Sequence, residues 1–157
     1  MSDRKHRRGF SLIELLIVIS IILIIITIAV PKFQRAQMTA RQTAAIQAIR
    51  AIHTAEVEYQ SQYGRYANSL TELGPPASGS PSSAAADLIG NDVSNGEKQG
   101  YKFTVTGTQG GYVITAVPVS FGTSGAVTYF SDQTMTVHYN EGPEPATAQS
   151  KELGMSK

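Results

Sequence analysis

The sequence predicts an α+β protein in which a long N-terminal helix packs its second half on a four-stranded antiparallel sheet. Three observations support this fold class. An almost unbroken apolar run covers residues 10–30, a helical pattern continues to residue 63, and alternating apolar and polar residues begin at residue 101. A chain of 157 residues has room for one modest domain and an appendage. It contains no cysteine, so neither a disulfide nor a thiolate metal site is available.

The N-terminal residues divide into a basic leader, residues 1–9, and an apolar helix segment, residues 10–30. The leader holds four basic residues and one acidic residue, whereas the rest of the chain holds nine basic and eleven acidic residues. A basic cluster directly before a membrane-grade segment is typical of a cytoplasmic retention signal, and no nucleic-acid partner is predicted. As a helix, the apolar segment would be about 31 Å long and could cross a bilayer. A secretory signal peptide is the alternative, but "AVPKFQRAQ" is a poor cleavage site for one.

The helical pattern does not stop at Pro31. Apolar residues in the amphipathic half, residues 31–63, recur at spacings of three, four or seven, which predicts that Ile49, Ile52 and Tyr59 are buried under the sheet. Pro31 is expected to bend the helix and not necessarily to end it. The whole helix would be roughly 80 Å long. One short domain cannot cover that length, so half of it must lie in lipid or pack against other chains.

The remaining residues are predicted to form a loop, a sheet and a tail. Residues 64–100 are rich in glycine, proline, serine and alanine, which indicates a long αβ-loop. The sheet, residues 101–140, is expected to be a meander whose strands cover residues 101–107, 112–119, 126–131 and 135–139. Residues 141–157 contain two prolines and little apolar content, so a flexible tail is expected there.

The stretch "GFSLIELLIVISIILIIITIAVPKF", residues 9–33, resembles the N-terminal signature of the type IV pilin superfamily. That family includes the pilins and the pseudopilins of type II secretion. The shared features are a basic leader that ends in glycine, then phenylalanine, a glutamate fifth in the new chain, and an apolar helix with a proline near its outer end. Residues 59–74 and 110–132 resemble family members more weakly. The implied fold agrees with the one that the periodicity predicts.

The resemblance implies that a prepilin peptidase cleaves after Gly9 and that the new amino group of Phe10 is then N-methylated. A carboxylate four residues into an apolar run is costly unless it is paired. The Phe10 amine is the obvious partner for Glu14, and a pair between neighbouring subunits would fix their register. A pair within one subunit is also sterically possible. The alternative for Glu14 is a side chain that snorkels to the membrane interface.

The favoured function is a structural subunit of a type IV pilus fibre, a homo-oligomer whose subunits polymerise through the apolar helix after leader cleavage. The subunit would be a single-pass inner-membrane protein that contacts an assembly platform before it enters an extracellular, cell-surface fibre. The alternative is a pseudopilin in a periplasmic pseudopilus of a type II secretion system, and a membrane-anchored domain that never polymerises is the third class. The chain departs from many pilins in lacking a C-terminal disulfide. It departs from major secretion pseudopilins because Asp132, Glu141 and Glu144 are scattered and form no evident calcium-binding loop.

Competing chemistry is sparse, so no enzyme activity, catalytic residue, metal or cofactor is predicted. The histidines His6, His53 and His138 have no clustered carboxylates or cysteines at metal-ligand spacing. The serines lack the strand–turn–helix setting of a nucleophile elbow. The glycine-rich residues 107–111 join two predicted strands and lead into no helix, so they are not expected to bind phosphate. Residues 87–92 could offer oxygen ligands to calcium, but they do not match the EF-hand spacing.

Overall fold

The computed structural model describes residues 9–108 and 110–154. The chain divides into two compact units between Ala36 and Gln37. In the described residues, the helices are α1 (Leu12–Tyr63), α2 (Leu70–Leu73) and α3 (Asn91–Ser94), and the strands are β1 (Glu97–Lys98), β2 (Tyr101–Thr108), β3 (Gly111–Pro118), β4 (Thr128–Asp132), β5 (Val137–Asn140) and β6 (Lys151–Glu152). Residues 1–8 of the expected leader lie outside the described residues. Residues 155–157 of the expected tail also lie outside them.

Helix α1 has 52 residues and contains Pro31. The chain therefore stays helical on both sides of the proline, as the sequence predicts, although proline has no N–H to donate to the preceding turn. A bend at Pro31 stays a prediction.

The second half of α1 forms one wall of the hydrophobic core in the unit that begins at Gln37. Its buried side chains recur every three or four residues, so they occupy one face of the helix. The buried residues are Ala45, Ala48, Ile49, Ile52, His53, Ala55, Glu56 and Tyr59. The predicted burial of Ile49, Ile52 and Tyr59 is confirmed, since each is 0% exposed.

The sheet is an antiparallel meander with the strand order β1-β2-β3-β4-β5-β6. Strand β2 alternates between buried and exposed side chains, with Tyr101, Phe103 and Val105 buried in the same core as the α1 residues. This alternation is expected of a sheet with one face on the core and the other in solvent. The sequence predicted the four central strands, but the described residues contain six. Strands β1 and β6 have two residues each, too few for a propensity signal.

The segment after β5 differs from the flexible tail that the sequence predicts. The hydroxyl of Thr128 in β4 donates to the carbonyl of Glu144 at 2.8 Å. Ala146 is buried, and the N–H of Leu153 donates to the carbonyl of Val137 at 2.7 Å. Strand β6 pairs with His138 and Tyr139 of β5. Hydrogen bonds and packing therefore hold residues 141–153 against the sheet of this cysteine-free chain.

Candidate functional site

The first unit presents an apolar surface that none of the described residues covers. Every large apolar side chain from Phe10 to Phe33 is exposed, from 47% at Val30 to 90% at Phe10. Continuous exposed apolar surface of this extent is rare on soluble proteins and marks a site for lipid or for other chains. Helix α1 has the length and composition of a membrane-spanning helix, and it is the only helix among the described residues that does. We call residues 10–33 the apolar segment.

The hydroxyls of Ser20 and Thr27, inside the apolar segment, are satisfied within the helix. Ser20 donates its hydroxyl to the carbonyl of Leu16 at 2.7 Å, and Thr27 donates to the carbonyl of Leu23 at 2.8 Å. Both bonds span four residues, which is the usual way for serine and threonine to be accommodated inside apolar helices. These residues therefore add no unsatisfied donor to the apolar surface.

The carboxylate of Glu14 caps the helix in which it lies. Helix α1 begins at Leu12, and the N–H of the preceding residue, Ser11, donates to Oε2 of Glu14 at 2.8 Å. This is one half of a capping box, in which an acidic residue at the third helical position binds the backbone N–H of the N-cap residue. The carboxylate also lies at the positive end of the helix dipole. The sequence analysis missed this role, although the "SLIE" spacing of Ser11 and Glu14 is the signal for it.

Gly9 and Phe10 precede α1 in an irregular segment. A Cβ atom added at Gly9 would meet nothing within 4 Å, and Phe10 is 90% exposed. The peptide bond that is predicted to be cleaved therefore joins a glycine with free space at its Cβ position to a residue with an exposed side chain. The structure brings Gly9, Phe10 and Glu14 to the first turn of α1 and its entry, whereas Pro31 lies well along the same helix.

A buried polar cluster in the second unit involves His53, one of the three histidines. Nδ1 of His53 is 2.6 Å from the Tyr112 hydroxyl, and Nε2 is 2.8 Å from the Ser131 hydroxyl. Ser131 donates its own proton to the carbonyl of Thr136 at 2.7 Å, so it can only accept from His53. This assigns the proton of a neutral imidazole to Nε2 and makes Tyr112 the donor to Nδ1.

The histidine cluster is buried in the core of the second unit. Ser131 is 0% exposed and His53 is 5% exposed, so an external substrate cannot reach the serine–histidine pair. Burial lowers the pKa of His53 below its ordinary value, and the nearby charge of Asp132 opposes that effect. The neutral form is therefore the one that the core favours.

His138 is also buried and has a hydrogen-bond partner. It is 9% exposed, and its Nδ1 lies 3.0 Å from the carbonyl of Ser150. Within the described residues, no group of three or more histidine, aspartate or glutamate side chains is placed to hold a metal ion.

Glu56 is a second buried polar residue, and the sequence analysis did not single it out. It is 0% exposed and accepts a hydrogen bond from the Ala67 N–H at 2.9 Å. Its position four residues after Ile52 on the buried face of α1 was the available signal, because a carboxylate is unusual on such a face.

The chain is similar to a family model and to a known protein. A family model described as "Prokaryotic N-terminal methylation motif" matches residues 4–30. The chain is 40% identical over 69 residues to the type IV major pilin protein PilA of Myxococcus xanthus (strain DK1622). That similarity covers 44% of this chain and 31% of the relative, so the match spans less than a third of the relative's length. The matched motif includes Gly9, Phe10 and Glu14.

Proposed function

We propose that this chain, which carries the N-terminal signature of the type IV pilin superfamily, is a structural subunit of a type IV pilus fibre. After removal of residues 1–9 by a prepilin peptidase, the mature chain would begin at Phe10. The subunit would wait in the inner membrane as a single-pass protein. An assembly platform would then transfer it into an extracellular fibre of identical subunits.

The observation that carries this proposal is the exposure of the apolar segment. Its large apolar side chains are all at least 47% exposed around the helix, and apolar surface in water costs roughly 25 cal/mol per Å². Lipid can cover this surface before assembly. Once a subunit has left the membrane, the same segments of neighbouring copies can cover it, and this makes the fibre core. A helix that only anchored a domain would need no such exchange of partners, and the methylation motif at residues 4–30 supports processing at its start.

Glu14 would fix the register of neighbouring subunits. In the unprocessed chain its carboxylate accepts one hydrogen bond, from Ser11, and a carboxylate has about four acceptor sites. Cleavage at Gly9 would create a cationic amine at Phe10, and pairing that amine with Glu14 of a neighbour would avoid two unpaired charges in a low-dielectric fibre core. A subunit out of register would leave both charges unpaired.

The fibre is tested by shearing cells that carry the full-length gene and collecting the released material. We expect long filaments in electron micrographs, and we expect the mature chain in their purified protein. A strain without the gene is the matched control. Absence of the chain from sheared filaments, together with its retention in the cell envelope and a loss of protein secretion in the deletion strain, would overturn the proposal in favour of the pseudopilin.

A further inference from the structure

Glu56 is a carboxylate without an adequate set of partners. The side chain is 0% exposed, and its Oε2 accepts from the Ala67 N–H at 2.9 Å. Oε1 is buried and has no hydrogen-bond partner in the described residues. A buried carboxylate with one backbone donor is poorly compensated, since ionised carboxylates need several donors or a cation when water is removed.

The Glu56–Ala67 hydrogen bond joins the helix to the segment that follows it. The chain leaves α1 at Tyr63 and reverses at Gly64, whose φ of 71° is in the left-handed region. Ala67 lies eleven positions after Glu56 in the sequence and is itself 0% exposed. We call residues 64–73 the return segment. Its first turn back onto the core depends on this bond and on the packing around it.

The rest of the return segment is attached independently of Glu56. The ring of Tyr66 packs on that of Tyr112 in β3 with centroids 5.0 Å apart. Glu72 accepts hydrogen bonds from Arg65 and from the Asn68 N–H. Unlike Glu56, Glu72 therefore has a cation and a further donor, and it can stay ionised where it lies.

The charged groups around Glu56 do not compensate its burial. Arg65 and the Ala67 N–H favour the ionised form, whereas the negative charge of Glu72 opposes it. Tyr112 on β3 is a further ionisable group that faces Glu56, since the charge of Glu56 acts on it, and Tyr66 packs on Tyr112. His53 and Tyr59 lie on the same buried face of α1 as Glu56. Burial is the largest influence and raises the pKa of Glu56 from 4.5 to about 7. The core therefore favours a neutral Glu56.

We propose that Glu56 is a pH-dependent latch that holds the return segment closed while it is protonated and lets the segment open more often once it is ionised. An ionised carboxylate would bind the Ala67 N–H more strongly, but Oε1 would still lack water. If the return segment lifts from the core, water can reach Oε1. Opening thus exchanges one backbone hydrogen bond for the full hydration of the charge.

The direction of the pH dependence follows from proton linkage. When exposed, the carboxyl group loses its proton near pH 4.5, and when buried near pH 7. Between these values the open form binds fewer protons than the closed form, so raising the pH favours opening. The equilibrium constant for opening should rise through this window by at least about tenfold. Below pH 4.5 and above about pH 7, the equilibrium constant for opening should not change with pH.

Amide hydrogen exchange of the full-length chain in detergent micelles tests the latch. The readout is the protection of the Ala67 amide from pH 5 to pH 8, corrected for the intrinsic exchange rate at each pH, with the amide of Ile114 in β3 as an internal reference. We expect protection of Ala67 to fall about tenfold or more while that of Ile114 does not change. Glu56→Gln, which keeps an acceptor for Ala67 but cannot ionise, should remove the pH dependence, whereas Glu58→Gln on the exposed side of α1 should retain it.

Three outcomes would overturn the latch. The first is equal protection of Ala67 across the range, and the second is the same fall at Ile114. The third is an unchanged pH dependence in Glu56→Gln. If Glu56→Gln does not fold, the wild-type comparison of Ala67 with Ile114 decides alone. None of these results depends on whether the chain forms fibres.

Discussion

The carboxylate of Glu14 accepts a hydrogen bond from the Ser11 N–H at 2.8 Å, so it stabilises the start of α1. The sequence predicted a different role for Glu14, which was to fix the register of neighbouring subunits. Two roles for Glu14 are therefore possible, a helix cap and a charged partner for a neighbouring subunit. They can be separated, because a glutamine keeps a capping oxygen but has no charge.

For Glu14, we expect Glu14→Gln to lower the ratio of sheared fibre to membrane-bound mature subunit while leaving insertion and cleavage normal. Removing one partner of a buried charge pair costs about 3–5 kcal/mol, and the loss recurs at every subunit contact. Glu14→Ala, which loses both the cap and the charge, is the comparison. A Gln variant that assembles like wild type beside a defective Ala variant would show that capping is the role and would reject subunit registry.

For Gly9, we expect the mature chain to start at Phe10 and Gly9→Val to accumulate as uncleaved precursor. A Cβ at Gly9 would meet no atom of the described residues within 4 Å, so the valine should not disturb the fold that they form. Any block must then arise in the peptidase, where a small residue allows close approach to the backbone. Intact-mass measurement of both proteins gives the answer. Retention of residues 1–9 in wild type, or complete processing of the variant, would contradict the assigned cleavage site.

For the second unit, a fragment that begins at Thr39 should fold alone, because it keeps the core-forming face of α1 and all the strands. Circular dichroism should show helix and sheet with a cooperative melt. Ile52 is 0% exposed, so Ile52→Ala should lower the free energy of unfolding by about 2–4 kcal/mol. Val57 on the same helix is 45% exposed, and Val57→Ala should cost less than about 0.5 kcal/mol. Equal losses in the two variants would reject the packing described above.

For the C-terminal residues, Thr128→Val in this fragment should lower the free energy of unfolding by about 0.5–1.5 kcal/mol. The valine keeps the shape of threonine but leaves the Glu144 carbonyl without its donor. Thr104→Val, on the exposed side of β2, controls for the threonine-to-valine change itself. In chemical denaturation, the unfolding midpoint of Thr128→Val should be lower than that of Thr104→Val. Coincident midpoints would mean that the hydrogen bond to Glu144 does not hold the tail.

For His53, the stability of the fragment should depend on pH in a way that His53→Gln removes. Because burial lowers the pKa of His53 in the folded state, the unfolded chain takes up a proton near pH 6.5 and the folded chain does not. The contribution of His53 to stability is therefore complete above pH 6.5 and decreases as the pH falls below it, by at most about 1.4 kcal/mol per pH unit. Denaturant titrations of both proteins from pH 8 to pH 5 measure the difference. A constant difference across this range would exclude a buried neutral His53.

The parts of the fold that could be predicted from the sequence are those with local signals. Ile49 and Ile52 repeat at the helical period, and β2 alternates with the period of a strand, so their burial follows from the pattern. The "SLIE" capping signal was equally local, and it was overlooked because the apolar run suggested a pairing role for Glu14.

The parts that could not be predicted depend on partners distant in the chain. His53 bonds to residues 59 and 78 positions away, and nothing near it in the sequence indicates either. Strand β6 consists of Lys151 and Glu152, which have no preference for strands. It forms because β5 presents free backbone groups beside it.

The two-residue length of β1 and β6 has a consequence for a protein whose copies would be crowded along a filament. Edge strands with many unpaired N–H and C=O groups recruit strands from other molecules, and high local concentration makes this fusion hard to avoid. Here the sheet ends on both sides in a strand of two residues, and each edge strand contains a lysine and a glutamate. At β1 and β6, so short and charged an edge gives another copy little to extend. In a fibre, these two strands would therefore disfavour fusion of neighbouring sheets where they cover the sheet.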